Sequence, residues 1–368
     1  MSTVAMNDFR NQPEALVKAE AAACERVIRS GWWILGDEVA SFEKAWAQWL
    51  GVPHAIGCGN GLDAIEIALR CLGVGPGDEV ITTPMTAFAT YLAIVRSGAT
   101  PVLADIDPQT AMLSPTSVER CIGPRTRAII LVHLYGQIGP VEQLQRLATG
   151  HGLQLIEDCA QAHGAWLGGR SAGSFGSIAA WSFYPTKNLG CIGDGGALTT
   201  ASDELAEASR SLRNYGQSTR YYHPLLGMNS RLDEIQAAIL SARLEYLTDW
   251  VRRRREIAHR YDVSIRSRAI TLLPLPAEAT RHAHHLFVVT TPQREELQQF
   301  LKQQQIESLI HYPVTIHQQQ SAMNVARDPQ GLRHAEAHAR MCLSLPCHPG
   351  MSDADVDRVI AAVNRFGA

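Results

Sequence analysis

His54-Ala55-Ile56-Gly57-Cys58-Gly59-Asn60-Gly61-Leu62 is an apolar run that breaks into a glycine turn and then opens a helical pattern. The same alternation recurs through residues 53–198. Short apolar runs at Glu79 to Thr83, Pro101 to Ala104, Ala128 to Val132, Leu153 to Ile156 and Ala179 to Phe183 are separated by helix-length stretches. Runs that stay apolar on successive residues are buried on both faces, and strand–helix–strand units set their strands parallel. The segment therefore predicts an α/β fold with a mainly parallel sheet flanked by helices. Towards the N-terminus, Asp37 reads as the N-cap of a helix that carries Val39, Phe42, Trp46 and Trp49 on one face and ends at Gly51. Towards the C-terminus, a charged helical pattern runs from Arg231 to Ser264 and leads out of this unit. His284 to Thr290 then reads as a strand, and Pro292 to Gln305 as a helix opened by Thr291 and Pro292. Ser352 to Phe366 reads as a last helix, with Ser352 and Asp355 at capping-box spacing. The expected organisation is an N-terminal arm and large unit over 1–250, followed by a smaller α+β unit over 251–368.

At about 150 residues per domain, 368 residues suit roughly two domains. With 46% hydrophobic and 19% charged residues, the chain is neither disordered nor a disulfide-held mini-protein. Its 33 basic and 36 acidic residues leave a net charge of −3, which gives no general attraction to nucleic acid. No eighteen apolar residues run together, and Met1 to Arg10 shows no basic segment followed by an apolar one, so neither a membrane span nor an export segment is expected. The eight cysteines form no C-x-x-C pair, which suits a reducing cytoplasm.

Only four of the basic residues are lysines, and Lys18, Lys44 and Lys302 sit in amphipathic helical patterns. Lys187 instead lies in Trp181-Ser182-Phe183-Tyr184-Pro185-Thr186-Lys187-Asn188-Leu189-Gly190, ahead of Gly193-Asp194-Gly195-Gly196. Desolvation there would lower its pKa and leave a neutral amine able to attack a carbonyl and hold pyridoxal 5'-phosphate (PLP) as a Schiff base; the plainer reading is a solvated loop lysine. A second signal is Leu153-Gln154-Leu155-Ile156-Glu157-Asp158-Cys159-Ala160-Gln161-Ala162-His163-Gly164, where an apolar run ends in acids at the edge of the sheet that binds ligands in α/β proteins. Asp158 could keep a pyridinium nitrogen protonated, or simply cap a helix or bridge to a base. A third signal is the Gly59-Asn60-Gly61 turn, whose N–H groups at a helix start could cradle a phosphate.

Several alternatives fit less well. A dinucleotide fingerprint beginning at Gly57-x-Gly59 needs glycine at position 62, where Leu62 stands, and there is no G-K-[ST]; both count against an NAD-dependent oxidoreductase or a P-loop protein. His282, His284 and His285 lack an acid or cysteine at ligand spacing, so a surface or packing role is expected and no metal. Arg252 to Arg255 read as a solvated helix face beside Glu256.

The three signals occur together with Gly31-Trp32-Trp33-Ile34-Leu35-Gly36, His133-Leu134-Tyr135-Gly136, Leu212-Arg213-Asn214-Tyr215-Gly216, Asn229-Ser230-Arg231-Leu232-Asp233-Glu234 and His311-Tyr312-Pro313. In this combination the chain resembles, over nearly its whole length, the DegT/DnrJ/StrS family of PLP-dependent nucleotide-sugar aminotransferases. The resemblance implies fold type I and a homodimer with shared active sites. It also implies that Lys187 carries the cofactor and moves the proton, Asp158 pairs with the pyridine nitrogen and Gln161 lies near the ring hydroxyl. Gly59, Asn60, Gly61 and Ser182 would hold the cofactor phosphate, with Asn229 completing that site from a partner subunit. Trp33, His163, Tyr184, Arg231, Tyr312 and His317 are the weaker candidates for contacts to the amino donor or the sugar nucleotide.

Many relatives place an aromatic directly after the threonine of Thr86-Ala87-Phe88-Ala89-Thr90 to stack on the cofactor ring. Here Ala87 stands there, and in a strand Phe88 would face the other way. The intact Lys187, where sugar dehydratases of the family carry histidine, favours transamination. Asn60-Gly61-Leu62-Asp63 and Phe183 to Gly190 look most like enzymes that aminate C3 of dTDP-3-keto-6-deoxyhexoses with L-glutamate as donor. The alternatives are a C4 aminotransferase acting on a UDP-linked 4-keto sugar and a regulator that binds PLP without catalysis.

Overall fold

The computed structural model describes residues 3–367, so positions 1, 2 and 368 of the two expected units and of the N-terminal segment lie outside the described residues. Eight strands form the main sheet, and most match the apolar runs: β1 (His54–Cys58), β2 (Glu79–Thr82), β3 (Thr100–Leu103), β4 (Thr126–Val132) and β5 (Gln154–Asp158). After a small hairpin, β6 (Trp166–Leu167) and β7 (Arg170–Ser171), come β8 (Ile178–Ser182) and β9 (Gly196–Thr200). β10 (Thr271–Leu272) and β11 (Phe287–Thr290) follow, then β12 (Ala326–Arg327) and β13 (Cys342–Leu345). The main sheet has the order β1-β9-β8-β5-β4-β2-β3-β12, and every neighbouring pair is parallel except those made by β9, which alone runs backwards.

Strands buried on both faces divide their side chains between two cores. Along β4, Ile129 and Leu131 join one cluster with Phe42, Trp46, Leu144 and Trp181, while Ala128, Ile130 and Val132 join the other with Ile65, Ile67 and Ile94. After α1 (Glu14–Ser30) in the N-terminal arm, the first layer includes α2 (Asp37–Leu50), and the second is built on α3 (Gly61–Cys71) and α4 (Phe88–Arg96). A third core, with Tyr261, Phe287, Leu297, Leu343 and Val359, lies beneath the antiparallel sheet β10-β11-β13. β12 pairs in parallel with β3 and so ties the C-terminal part of the chain to the main sheet, while Val4 of the N-terminal arm pairs with Ile306 inside this third core.

Three local expectations need correction. Asp37 is the first residue of α2 rather than its cap; Gly36 holds that position, and the buried Glu234 carboxylate accepts from the N–H groups of Gly36, Glu38 and Val39. A buried charge thus replaces the side-chain cap and also suits the helix dipole. The pattern from Arg231 to Ser264 is two helices, Glu234–Leu244 and Leu247–Ser264, because the chain turns at Glu245 and Tyr246. Arg254 is buried rather than solvated, and its Nη1 donates to the carbonyls of His284, His285 and Cys347. The histidines it supports are interior too, with the His282 and His284 rings stacked 3.8 Å apart. The last helix, Asp353–Arg365, does begin with the reciprocal capping box of Ser352 and Asp355.

Candidate active site

Because β1, β5 and β8 run in one direction, their C-terminal ends emerge at one edge of the sheet. The register then sets the side chains together: Cys58 and Ser182 both pair with Gly196, from either side of β9, and Asp158 pairs with Ala180. This brings together the Gly59 to Gly61 turn, Asp158 and Ser182, with Lys187 in the loop that continues β8.

The turn is set for an anion. Asn60 caps α3, its Oδ1 accepting from the Asp63 N–H at 2.9 Å, and its own carbonyl accepts from Ala64. The N–H groups of Gly61 and Leu62 have no acceptor among the described residues, so two donors and the positive end of the helix dipole remain open. Ser182 lies against them: a Cβ on Gly61 would sit 2.7 Å from the Ser182 Cβ, so only glycine permits this approach. The Gly59 N–H is already taken by Ser230 Oγ at 3.0 Å, and that hydroxyl donates onward to Asp63.

Asp158 is buried, and Thr90 Oγ1 donates to its Oδ2 at 2.8 Å while the Ala160 N–H approaches Oδ1 at 3.1 Å. Burial pushes the carboxyl above its usual range, opposed by these two hydrogen bonds and by the charge of Lys187. Its neighbour Glu157 points to the opposite face. There its carboxylate accepts from His133 Nε2 and from the N–H groups of Gly173, Phe175 and Gly176. Burial raises Glu157, but His133 and these amides outweigh it and hold the group below the ordinary value. The Gly139 N–H donates to His133 Nδ1, which leaves the proton on Nε2.

Lys187 is half-buried, and its amine has no hydrogen-bond or ion-pair partner among the described residues. Desolvation brings it down to about 8, with Asp158 pulling the other way. Gln161 is held at both ends: Oε1 accepts from the Tyr135 N–H at 2.5 Å, and Nε2 donates to the Tyr312 hydroxyl at 3.3 Å. Burial and the negative charge of Asp158 lift the Tyr312 phenol to about 12, so it stays protonated. Gly136, at φ +102°, allows this packing, since a Cβ there would lie 2.8 Å from the Gln161 carbonyl oxygen.

The weaker candidates fall into two groups. Trp33, Tyr184 and Asn229 are exposed, and the half-buried Arg231 donates to Asn214 Oδ1 at 3.1 Å and lies over the Tyr215 ring. His163 and His317 are interior instead. The His163 ring is fully buried among Trp46, Trp181 and Phe183, neither ring nitrogen has a partner, and burial lowers it to about 3. His317 is occupied at both nitrogens, by Glu336 at 2.9 Å and Thr315 at 3.2 Å. Phe88 opens a helix, not a strand, so strand alternation does not decide its direction; its ring packs on Tyr91 and on the cluster of Leu103 and Ile316. Sequence reading passed over Thr90, Ser230 and Glu234. Thr90 follows Thr86 at helical i, i+4 spacing, and their hydroxyls lie 3.0 Å apart, a relay that ends on Asp158.

A mainly parallel sheet with a loop lysine, a buried strand-end aspartate and an open helix N-terminus on one edge agrees with the fold type I architecture of aminotransferases. The chain belongs to the DegT/DnrJ/EryC1/StrS aminotransferase family, which it matches over residues 14–364, and members of this family depend on PLP. It is 44% identical to the dTDP-3-amino-3,4,6-trideoxy-alpha-D-glucose transaminase of Streptomyces venezuelae, covering 98% of this chain and 95% of that one. With the dTDP-3-amino-3,6-dideoxy-alpha-D-galactopyranose transaminase of Aneurinibacillus thermoaerophilus it shares 46% identity, over 94% of each chain. The structure superimposes on S. venezuelae DesV with a TM-score of 0.96 at 44% identity, covering 100% of this chain and 99% of DesV. No helix among the described residues is long and apolar enough to cross a membrane.

Proposed function

We propose that the enzyme, as a cytoplasmic homodimer, moves an amino group from L-glutamate to C3 of a dTDP-linked 3-keto-6-deoxyhexose. The observation that carries this reading is the convergence of an unpartnered Lys187, a buried Asp158 and an open α3 N-terminus facing Ser182. The position and nucleotide are supported by similarity to two transaminases named for 3-amino dTDP-hexoses. The cofactor-binding unit in this reading is 1–250 and the smaller unit 251–368, with β12 sewn back onto the main sheet.

The residues present fit PLP. The free N–H groups of Gly61 and Leu62 and the Ser182 hydroxyl suit its phosphate, and Asp158 suits its ring nitrogen, with Gln161 beside the ring hydroxyl. When bound, the pyridinium ring supplies a sink for the electron pair left as a proton departs from the carbon that bears nitrogen. Asp158 holds the proton on the ring nitrogen, and Thr90 and the Ala160 N–H keep its carboxylate aimed and ionised. Lys187, with its amine brought into the titration range of neutral pH, takes a proton at Nζ and returns it. Gln161 cannot swing away, because Tyr135 and Tyr312 hold both ends of its amide. Asn229, exposed here, is free to reach the phosphate site of a second subunit, while the exposed Trp33 and Tyr184 and the half-buried Arg231 are open to a sugar nucleotide.

The test is amino transfer from L-glutamate to matched 3-keto and 4-keto sugar nucleotides, with dTDP and UDP carriers. Turnover should follow the dTDP 3-keto substrate and vanish in Lys187→Ala. Preference for a UDP-linked 4-keto sugar would replace the C3 reading, and transfer retained in Lys187→Ala would overturn the role given to the lysine.

A further inference from the structure

A cavity of about 200 Å³ lies beside the Lys187 loop, and Lys187 itself lines it while Asp158, Gln161 and Ser182 do not. One wall is Pro185 to Asn188, and the others come from the N-terminal arm, the helix Leu247–Ser264 and the turn at His348. Two guanidinium groups line it, those of Arg243 and Arg254, and both residues are more than nine-tenths buried. Arg243 spends Nε on Glu20 and Nη1 on the Gly190 and Cys191 carbonyls, while Arg254 spends Nη1 on three carbonyls. Nη2 of each has no acceptor among the described residues, and Arg254 Nε is buried without one. Asp8 is the only carboxylate in the lining, and it is engaged by the Arg10 N–H and by Asn11.

Arg254 Nε is closed off from the cavity, so the groups on offer to a ligand are the two Nη2, and unspent guanidinium N–H groups match a carboxylate. We propose that this cavity is an anion subsite that receives the distal carboxylate of the amino donor, a small dicarboxylic amino acid, next to Lys187. The inference rests on the aminotransferase reading and adds where the donor is recognised. Size decides the occupant: ligand pockets for larger molecules run to about 300–1,000 Å³, so this volume suits a metabolite of about ten heavy atoms and not a sugar nucleotide. The two substrates are then held by different groups, although both react beside the same lysine.

Glutarate, an unreactive dicarboxylate, separates this idea from catalysis. Titrated calorimetrically into the PLP-loaded protein, it should bind once per chain, with butyrate at least tenfold weaker. Arg254→Gln should weaken glutarate at least tenfold and leave dTDP binding unchanged. Because Arg254 also supports three carbonyls, Gly350→Phe is the second variant: it plugs the cavity from its rim with both arginines intact and should abolish glutarate binding. Asp8→Asn, which removes the one carboxylate charge of the lining, should tighten it. Absence of glutarate binding, indifference to both Arg254→Gln and Gly350→Phe, or displacement of glutarate by dTDP would each overturn the subsite. None of these results bears on whether the keto-sugar test succeeds.

Discussion

Burial should bring the Lys187 amine to its titration midpoint within about a unit of neutral pH. Desolvation takes it from 10.5 to about 8, and at 1.36 kcal/mol per unit this disfavours the ammonium by about 3 kcal/mol. At pH 7 roughly a tenth of the chains then carry a free amine, against about three in ten thousand for an ordinary lysine. The folded-state value lies below the unfolded one, so between about pH 8 and 10.5 the unfolded chain binds more protons. Stability of the cofactor-free protein should therefore rise with pH across that window and carry the whole cost below it. The assay follows from the sequence: there are only four lysines, and Lys18, Lys44 and Lys302 are exposed. Carbon-13 labelling of lysine should give one ε-methylene signal with a midpoint near 8, absent in Lys187→Met. Because Asp158 raises the lysine value, Asp158→Asn should move the midpoint lower. The rate of PLP uptake should rise about tenfold per pH unit from 6 to 8 and then level off. A Lys187 signal that titrates with the other three, or an upward move in Asp158→Asn, would refute the desolvation argument.

Gly61→Ala should loosen the phosphate cradle, because the added methyl would sit 2.7 Å from Ser182 Cβ and 3.2 Å from its Cα. Fluorescence titration should show PLP binding weakened by about 1.5–3 kcal/mol, the range for a hydrogen bond to a charged group, with unphosphorylated pyridoxal little changed; equal losses for both would count against the cradle. Glu234→Gln should cost about 3 kcal/mol, since an amide cannot satisfy the three N–H groups that now share a buried carboxylate. The denaturation midpoint should fall and amide exchange at Gly36, Glu38 and Val39 should quicken, and unchanged exchange at those amides would exclude the cap.

The legible parts of this fold are those set by short-range pattern. Apolar runs mark the strands because a sheet covered on both faces leaves no polar alternation, as Ala128 to Val132 show by feeding two separate cores. The pattern of Ser352 and Asp355 marks a helix start because both partners lie within one turn. What stayed hidden depends on contacts distant in sequence. Glu234 caps a helix that begins about two hundred residues earlier, so nothing near Asp37 reveals it. Arg254 reads as one of four solvated arginines, and only its three carbonyl partners on other segments show that it is interior. β12 is two residues long and carries no periodicity, yet it ties the C-terminal part of the chain to β3.

The same distinction explains why strand pattern narrows the acid of the site to a pair and leaves the choice within the pair to tertiary contacts. Glu157 and Asp158 are adjacent on β5, and successive strand residues face opposite sides, so only one of them can face the cleft. Composition cannot choose between them, because both are buried carboxylates at the end of an apolar run. The choice is made by what each face offers. On one side Gly173, Phe175 and Gly176 turn their amides inward and join His133, which consumes both Glu157 oxygens. On the other side Asp158 meets one hydroxyl and one amide, and the charge of Lys187 acts on it. A carboxylate given four donors is a structural anchor, whereas one given two keeps acceptor capacity for a further partner. Asp158 is therefore the group with room for a protonated ring nitrogen, since each of its oxygens accepts from one donor and keeps acceptor capacity for another.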